Sequence, residues 1–225
     1  MTGRAGYDAH ADWYDAYVTG EASRHTARTT AALCATAGPG AGVCLDVGCG
    51  TGVHAAGLRS IGWDVVGMDL SLGQLRHARG QLPVAVADAA RLPVATSSVD
   101  LVVATLVHTD VPDWAATVRE VARVLRPGGR FVSVGVHPCF VGPFAEVVDD
   151  QVRIHPGYDD GDLTFEGPGL GGGIRPRVGV RHVALAGLVN AVLEAGLVLT
   201  RVEEPADGPT PDLLVLDAVA PLSGG

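Results

Sequence analysis

Lysine is missing from this chain, and charged residues of all kinds make up only 18% of it. The first absence excludes a phosphate-gripping loop that closes with Lys-Ser or Lys-Thr. Cysteine is sparse: Cys34, Cys44, Cys49 and Cys139 lack metal-type spacing and read as reduced, mostly buried small residues. No apolar run approaches the roughly 20 residues that cross a bilayer, so no membrane partner is expected. The opening residues Met1 to Asp8 lack the apolar stretch of a secretory signal, which makes the cytoplasm the expected location. A formal net charge of −9 opposes nonspecific attraction to nucleic acid or anionic lipid, and no nucleic-acid partner is expected. The one basic cluster, Arg175, Arg177 and Arg181, lies in a Gly/Pro-rich stretch and reads as solvated surface. What remains is 225 residues with 47% hydrophobic content, ample for the core of one domain.

The information in that remainder concentrates between Val43 and Gly52. Val43-Cys44-Leu45-Asp46-Val47 is a short apolar run, and Gly48-Cys49-Gly50-Thr51-Gly52 follows it, just before a helical pattern. A strand ending in such a turn lets backbone pass close to a ligand, with the free N–H groups of a helix behind it. A second apolar run, Trp63 to Met68, closes on Asp69, 21 residues beyond Gly48. A carboxylate there, at the tip of the next parallel strand, can grip a ribose diol, which points to an adenosine-containing ligand. A dinucleotide site wants Gly or Ala three residues after its second glycine, where this chain has Val53. Asp46 would repel a pyrophosphate and suits a ligand with a cationic end.

The run Leu45 to Gly52, then Gly67-Met68-Asp69-Leu70-Ser71, and later Leu125-Arg126-Pro127-Gly128-Gly129-Arg130-Phe131 resemble the class I S-adenosylmethionine-dependent methyltransferases. More narrowly they are similar to the small-molecule enzymes related to ubiquinone and menaquinone biosynthesis. The resemblance extends from about Tyr7 to Phe131 and becomes vague after Pro138. It implies S-adenosylmethionine as cofactor, with Gly48, Gly50 and Gly52 around its methionine part, Asp69 on the ribose hydroxyls and Asp88 near the adenine amine. Asp46, Cys49, Leu70, Ala89 and Leu106 complete the implied cofactor set.

Hydrophobic periodicity gives helices at about 7–19 and 22–37, strand 43–47, helix 53–61, strand 64–68, helix 71–80, and strands 83–87 and 99–105. A helix near 114–126 shows the clearest stripe, with Asp113 as its cap and Pro127-Gly128-Gly129 as its stop. Strand 130–136, a helix near 183–196 and strands near 197–204 and 212–219 follow. The alternation predicts a single α/β domain over 1–225, with a parallel sheet covered on both faces. The resemblance makes it a doubly wound, Rossmann-like, seven-stranded sheet with a final antiparallel strand. Residues 1–38 read as an N-terminal helical cap and 138–180 as either a lid or a disordered insertion, the lid being favoured because Phe140, Phe144, Tyr158 and Phe165 give it apolar anchors.

Methyl transfer asks the protein to align nucleophile, methyl carbon and sulfur, to exclude water, and to remove a proton where the acceptor carries one. His137 beyond the fifth strand, His108 beyond the fourth and His155 in the lid are the candidate bases, in that order. His10, His25, His54, His77 and His182 read as surface or packing residues. Tyr7 and Tyr14, a heptad apart, are expected on one helix face, and Tyr14, Phe140 and Phe144 are the candidate substrate contacts. No metal site is expected, since Asp110 and Asp113 are too few oxygen ligands. Base-flipping methyltransferases carry Asn or Asp, two prolines and an aromatic after the fourth strand; Thr105 to Asp110 do not. The expected activity is methylation of oxygen, nitrogen or carbon on a small, largely apolar metabolite. The alternatives are a methyltransferase-fold protein that binds the cofactor without transferring methyl, such as a cyclase or binding module, and a nicotinamide-dependent oxidoreductase, against which Val53 speaks.

Overall fold

The computed structural model describes residues 6–149 and 151–222, so residues 1–5 of the expected cap and position 150 of the expected lid lie outside the described residues. The chain opens with a 3-10 turn (Gly6–His10), α1 (Ala11–Thr19) and α2 (Ser23–Ala37). Next come β1 (Gly42–Val47), α3 (Ala55–Ser60), β2 (Trp63–Asp69), α4 (Leu72–Ala78) and β3 (Val84–Val86). β4 (Val99–Thr105), α5 (Trp114–Val124) and β5 (Leu125–Val136) lead to the stretch expected to be a lid, which holds β6 (Ala145–Val148), β7 (Gln151–Ile154) and α6 (Arg175–Val178). α7 (Leu185–Glu194), β8 (Val198–Glu203) and β9 (Leu213–Val219) finish the fold.

The seven-stranded sheet runs β3-β2-β1-β4-β5-β9-β8, with β9 antiparallel to both its neighbours and the other pairings parallel. This is the expected doubly wound α/β architecture. Two apolar cores follow from the strand alternation. Leu45, Val47, Val102 and Ala104 face Trp114, Val118 and Val121 of α5 and Leu188 and Val192 of α7. Cys44, Val65, Leu101 and Val103 face Leu33 of α2, Leu58 of α3 and Ala78 of α4. The chain builds outward from β1 to β3 and then returns to β4 on the other side of β1. The crevice above the carboxyl ends of β1 and β4 is therefore the topological switch point, where open α/β sheets bind ligands. No helix among the described residues is long and apolar enough to cross a membrane.

The element limits differ from expectation where local bonds compete with periodicity. The first helical pattern breaks at Tyr7 to His10, because Asp8 accepts hydrogen bonds from the Ser71 hydroxyl (2.7 Å) and the Gly73 N–H (2.9 Å) at the start of α4. Tyr7 and Tyr14 therefore do not share a helix face; their rings meet edge-on at 5.4 Å. α5 starts as expected, with Asp113 Oδ1 accepting from the Ala116 N–H at 2.8 Å. It stops at Val124, earlier than expected, with Leu125 already extended at ψ 136° ahead of Arg126-Pro127. The stretch expected to be irregular contains the β6–β7 hairpin, whose short strands lack the Asn-Gly type of turn that would announce it.

Arg130 on β5 ties the helical layer to the sheet. Its guanidinium donates to the carbonyls of Ala37 and Thr36 at the end of α2, both at 2.7 Å, and to Asp217 Oδ2 of β9 at 2.9 Å. Cations at a helix C-terminus are favourable, and here three acceptors share one planar fork. Arg130→Met is expected to lower the unfolding free energy by roughly 2 kcal/mol or more in urea denaturation, with Arg130→Lys recovering only part. A loss below about 0.5 kcal/mol for the Met variant would remove this role.

Candidate active site

The glycine turn is locked to its neighbouring strand by backbone. The N–H groups of Gly48 and Cys49 both donate to the Met68 carbonyl of β2, at 2.7 and 3.1 Å. Gly48 holds φ +72°, and a Cβ there would lie 2.5 Å from Val107 Cγ2. Gly50, at φ +53°, differs: a Cβ on it would meet only Gln74 Oε1 at 3.7 Å, so this part of the turn borders open space. Asp69, at the tip of β2, accepts from the Gly50 N–H through Oδ2 (2.9 Å) and from the Ser71 N–H through Oδ1 (2.7 Å). Burial raises its pKa, and these two donors pull it back down.

Polar side chains with no partner gather around this turn. Both oxygens of Asp46, the hydroxyls of Thr51 and Thr105, and both amide atoms of Gln74 are buried without a hydrogen bond. Buried polar groups are nearly always paired, so four of them in one crevice mark a place built for something else to pair with. Asp46 is only 1% exposed, and its pKa is pushed up to about 7, first by burial and then by the Asp69 charge. Leu106, the residue after β4, sits at φ +59°, a conformation that costs a branched residue energy and clusters at functional sites. Next to Asp69, Leu70 and Val86 are exposed apolar side chains at the β2–β3 edge. Asp88 follows β3, exposed, with Oδ1 accepting from the Ala90 N–H at 2.9 Å, and the half-buried Ala89 packs on the core.

The expected histidines are not gathered at this crevice. His137 is 1% exposed and both its ring nitrogens are engaged: Nε2 pairs with Glu204 at 2.7 Å, and Nδ1 accepts from the Cys139 N–H at 3.2 Å. Through these two contacts His137 joins the end of β5 to the loop before β9, with neither ring nitrogen free in this structure. His108 is 4% exposed beneath Gly135 and edge-on to Trp114, 6.1 Å away. Burial, with Arg175 and His182 adding to it, lowers its pKa to about 3, so it is a neutral core imidazole and a weak base. His155 lies against Glu146 of the lid hairpin, at 3.2 Å.

The aromatic expectations divide. Tyr14 faces the crevice charges: its pKa is pushed up to about 12, chiefly by burial, with Asp110 and Asp69 adding and Arg175 opposing. Phe140 packs against His137 at 4.8 Å. Phe144 is buried, edge-on to Tyr158 and His182. Phe165 is 48% exposed, with its ring edge against Gly179. The arginines expected on the solvated surface are tied in: Arg175 is ion-paired with Asp110, and Arg177 stacks over Trp13 at 4.4 Å. Thr51, Gln74 and Thr105 are buried polar residues near the turn that sequence reasoning did not single out, and the pairing of Asp110 with Arg175 was not expected from it. For Thr105, its place as the last residue of a strand at the crevice was the available signal.

Residues 45–133 match the family described as a methyltransferase domain. The chain is 44% identical over 94 residues to the biotin biosynthesis bifunctional protein BioHC of Cellvibrio japonicus, which covers 38% of this chain and 18% of that protein. It is 38% identical over 107 residues to the demethylmenaquinone methyltransferase of Corynebacterium kroppenstedtii, covering 45% of this chain and 47% of the relative. The matches thus span less than half the length of these curated relatives. Among solved structures, an S-adenosylmethionine-dependent methyltransferase from Mesorhizobium loti superposes with a TM-score of 0.69 over 85% of this chain and 96% of its own, at 23% identity, a likeness of fold. The matched segment is similar to a methyltransferase domain, and the fold is like that of S-adenosylmethionine-dependent methyltransferases. Within that class its sequence is similar to the quinone-biosynthesis enzymes.

The unpaired carboxylate of Asp46 has a measurable cost. Its folded pKa of about 7 lies above the ordinary 3.8, so the native state binds the proton more tightly than the unfolded chain does. Relative to a neutral residue, the side chain therefore destabilises increasingly as pH rises from about 4 to 7, by about 1.4 kcal/mol per unit, and by a constant amount above that. Asp46→Asn is expected to be more stable than the parent protein at pH 8, by a margin that shrinks on acidification. Urea denaturation of both proteins at pH 5, 6, 7 and 8 checks this, and a margin independent of pH would contradict it.

Proposed function

We propose that this chain transfers a methyl group from S-adenosylmethionine to an oxygen, nitrogen or carbon of a small, largely apolar metabolite. The observation that carries the reading is the buried, unpartnered Asp46 carboxylate beside the glycine turn. An uncompensated anion at a binding crevice is explained by a ligand that arrives with a positive charge, and no lysine or free arginine at the turn would receive a phosphate.

The residues present fit this cofactor. Asp46, Gly48, Cys49, Gly50 and Gly52, with the orphaned Thr51 and Gln74, would hold its charged amino-acid end. Asp69, with lone pairs left after its two backbone donors, would accept the ribose hydroxyls. Leu70 and Ala89 would flank the adenine and Asp88 its amine, with Leu106 forming the wall toward the acceptor. When bound, the cofactor supplies an electrophilic methyl on a sulfonium that carries its own leaving group.

The remaining work falls to the cap and the lid, which exclude water and fix the acceptor, with Tyr14 and Phe140 as its candidate contacts. The engagement of His137 and the burial of His108 favour an acceptor that enters already nucleophilic, with alignment as the main source of rate. His155 remains the histidine to test for proton removal. The relatives named above bear different names and each matches under half of this chain, which agrees with an acceptor chosen by residues outside the matched part.

Calorimetry is expected to show S-adenosylhomocysteine binding with Kd on the order of micromolar and no comparable binding of NAD. Asp69→Ala should weaken it roughly 10- to 100-fold while the protein stays folded. Methyl-labelled turnover with a panel of apolar metabolites should show transfer, and His137→Ala and His108→Gln should retain rates within about tenfold of the parent, against the 100-fold or more lost with a general base. Tighter binding of NAD would refute the cofactor assignment. Cofactor binding with no transfer to any acceptor would instead favour a cyclase or binding module.

A further inference from the structure

A roof made of two segments far apart in sequence lies over the crevice, and a line of hydrogen bonds joins it to the glycine turn. Asp69 accepts from the N–H groups of Gly50 and Ser71. The Ser71 hydroxyl donates to Asp8 Oδ1 at 2.7 Å, and Asp8 is thereby fixed to the start of α4. Its neighbour Tyr7 reaches in another direction: the phenol donates to Asp110 Oδ1 at 3.1 Å, on the loop beyond β4. Asp110 in turn holds the lid, because Arg175 donates to its two oxygens at 2.5 and 3.3 Å and to the Thr109 hydroxyl at 2.9 Å.

The physical balance makes this line consequential. α6 is four residues long; beside Arg175 it is held by Arg177 over Trp13, Val178 beside Gly6, the buried Ile174 and, just after it, the paired backbone of Val180 and Thr164 and the Arg181 N–H on the Thr109 carbonyl, so the Arg175–Asp110 pair is its charged tie to the loop beyond β4. The Arg175 side chain is 19% exposed, so pulling it from Asp110 would leave two largely desolvated charges apart. Tyr7 stays a donor at all ordinary pH, since burial and the Asp110 charge raise its pKa. Asp8 thus grips the cofactor side, Tyr7 grips the lid side, and the two are adjacent in the chain.

We propose that the Tyr7-Asp8 pair couples occupancy of the crevice at Asp69 to closure of the lid at Arg175, with Tyr7 and Arg175 acting as positioning residues. The proposal rests on the reading of the crevice as the cofactor site. A hydroxyl-bearing ligand on Asp69 steadies Ser71 and Asp8, and the Tyr7 phenol passes that order to Asp110 and Arg175. By thermodynamic reciprocity, loosening the lid contact must weaken the ligand by the same factor as the ligand tightens the lid.

Hydrogen exchange on the full chain, with and without saturating S-adenosylhomocysteine, tests this for the parent protein, Tyr7→Phe and Arg175→Met. The parent is expected to show slowed exchange both at 43–71 and at 172–180. Tyr7→Phe, which keeps the ring packing, should keep the protection at 43–71, lose about tenfold of it at 172–180, and bind S-adenosylhomocysteine weaker by a similar factor. Arg175→Met should behave alike, and its Trp13 emission should shift as Arg177 leaves the ring. Full ligand-induced protection of 172–180 in Tyr7→Phe would overturn the coupling alone. Absence of protection at 43–71 in the parent would overturn the cofactor reading and the coupling with it.

Discussion

The parting of the chain between β1 and β4 governs this structure. In a parallel sheet covered on both faces, strand backbones are paired along their length and their side chains are consumed by packing. Polar chemistry has room only at the strand ends. Where β2 and β4 lead away from β1 on opposite sides, the ends separate and leave a crevice, and the chain spends its least comfortable residues there. Asp46 is buried without a partner, Leu106 is left-handed, and Thr105 points a buried hydroxyl at nothing in the protein.

These features lower the stability of the free protein and are tolerable because the sheet beneath is held by two apolar cores that do not depend on them. The roof is of another kind. The N-terminal segment and the stretch after β5 meet through Asp8, Tyr7, Asp110, Arg175 and the Arg177–Trp13 stack, with Phe144, Tyr158 and His182 packed together beside them. Segments held by a few polar contacts belong to the low-stability end of a fold, which is where elements that must open and close are found.

The division also separates the segment that matches the methyltransferase family from the rest of the chain. The matched segment, 45–133, contains the turn, Asp69, Asp88 and the β4 end, and it stops before the lid. A scaffold that fixes one cofactor can serve different acceptors when the acceptor is met by loops outside it. The hairpin at 145–154 and the run to Arg175 are the part of this chain with which such a choice would be made.

Periodicity and the glycine turn made the sheet, its helices and the cofactor edge legible, because strand alternation, helix stripes and glycine's freedom at positive φ are local properties. Asp46 and Asp69 could be named in advance for the same reason: their spacing from the turn places them at strand ends whatever the rest does. Tertiary structure decided the rest. The role of His137 depends on Glu204, 67 positions away, and on the Cys139 N–H, and that of Arg175 on Asp110, 65 positions away. The 3-10 turn at Tyr7 exists because Asp8 is drawn to α4, and no short-range pattern records that pull. Local geometry follows from local sequence, whereas which lone pair is free and which charge is paired follows from burial and distant partners. The candidate cofactor edge was therefore readable from the chain itself, and the roof and the state of the histidines were not.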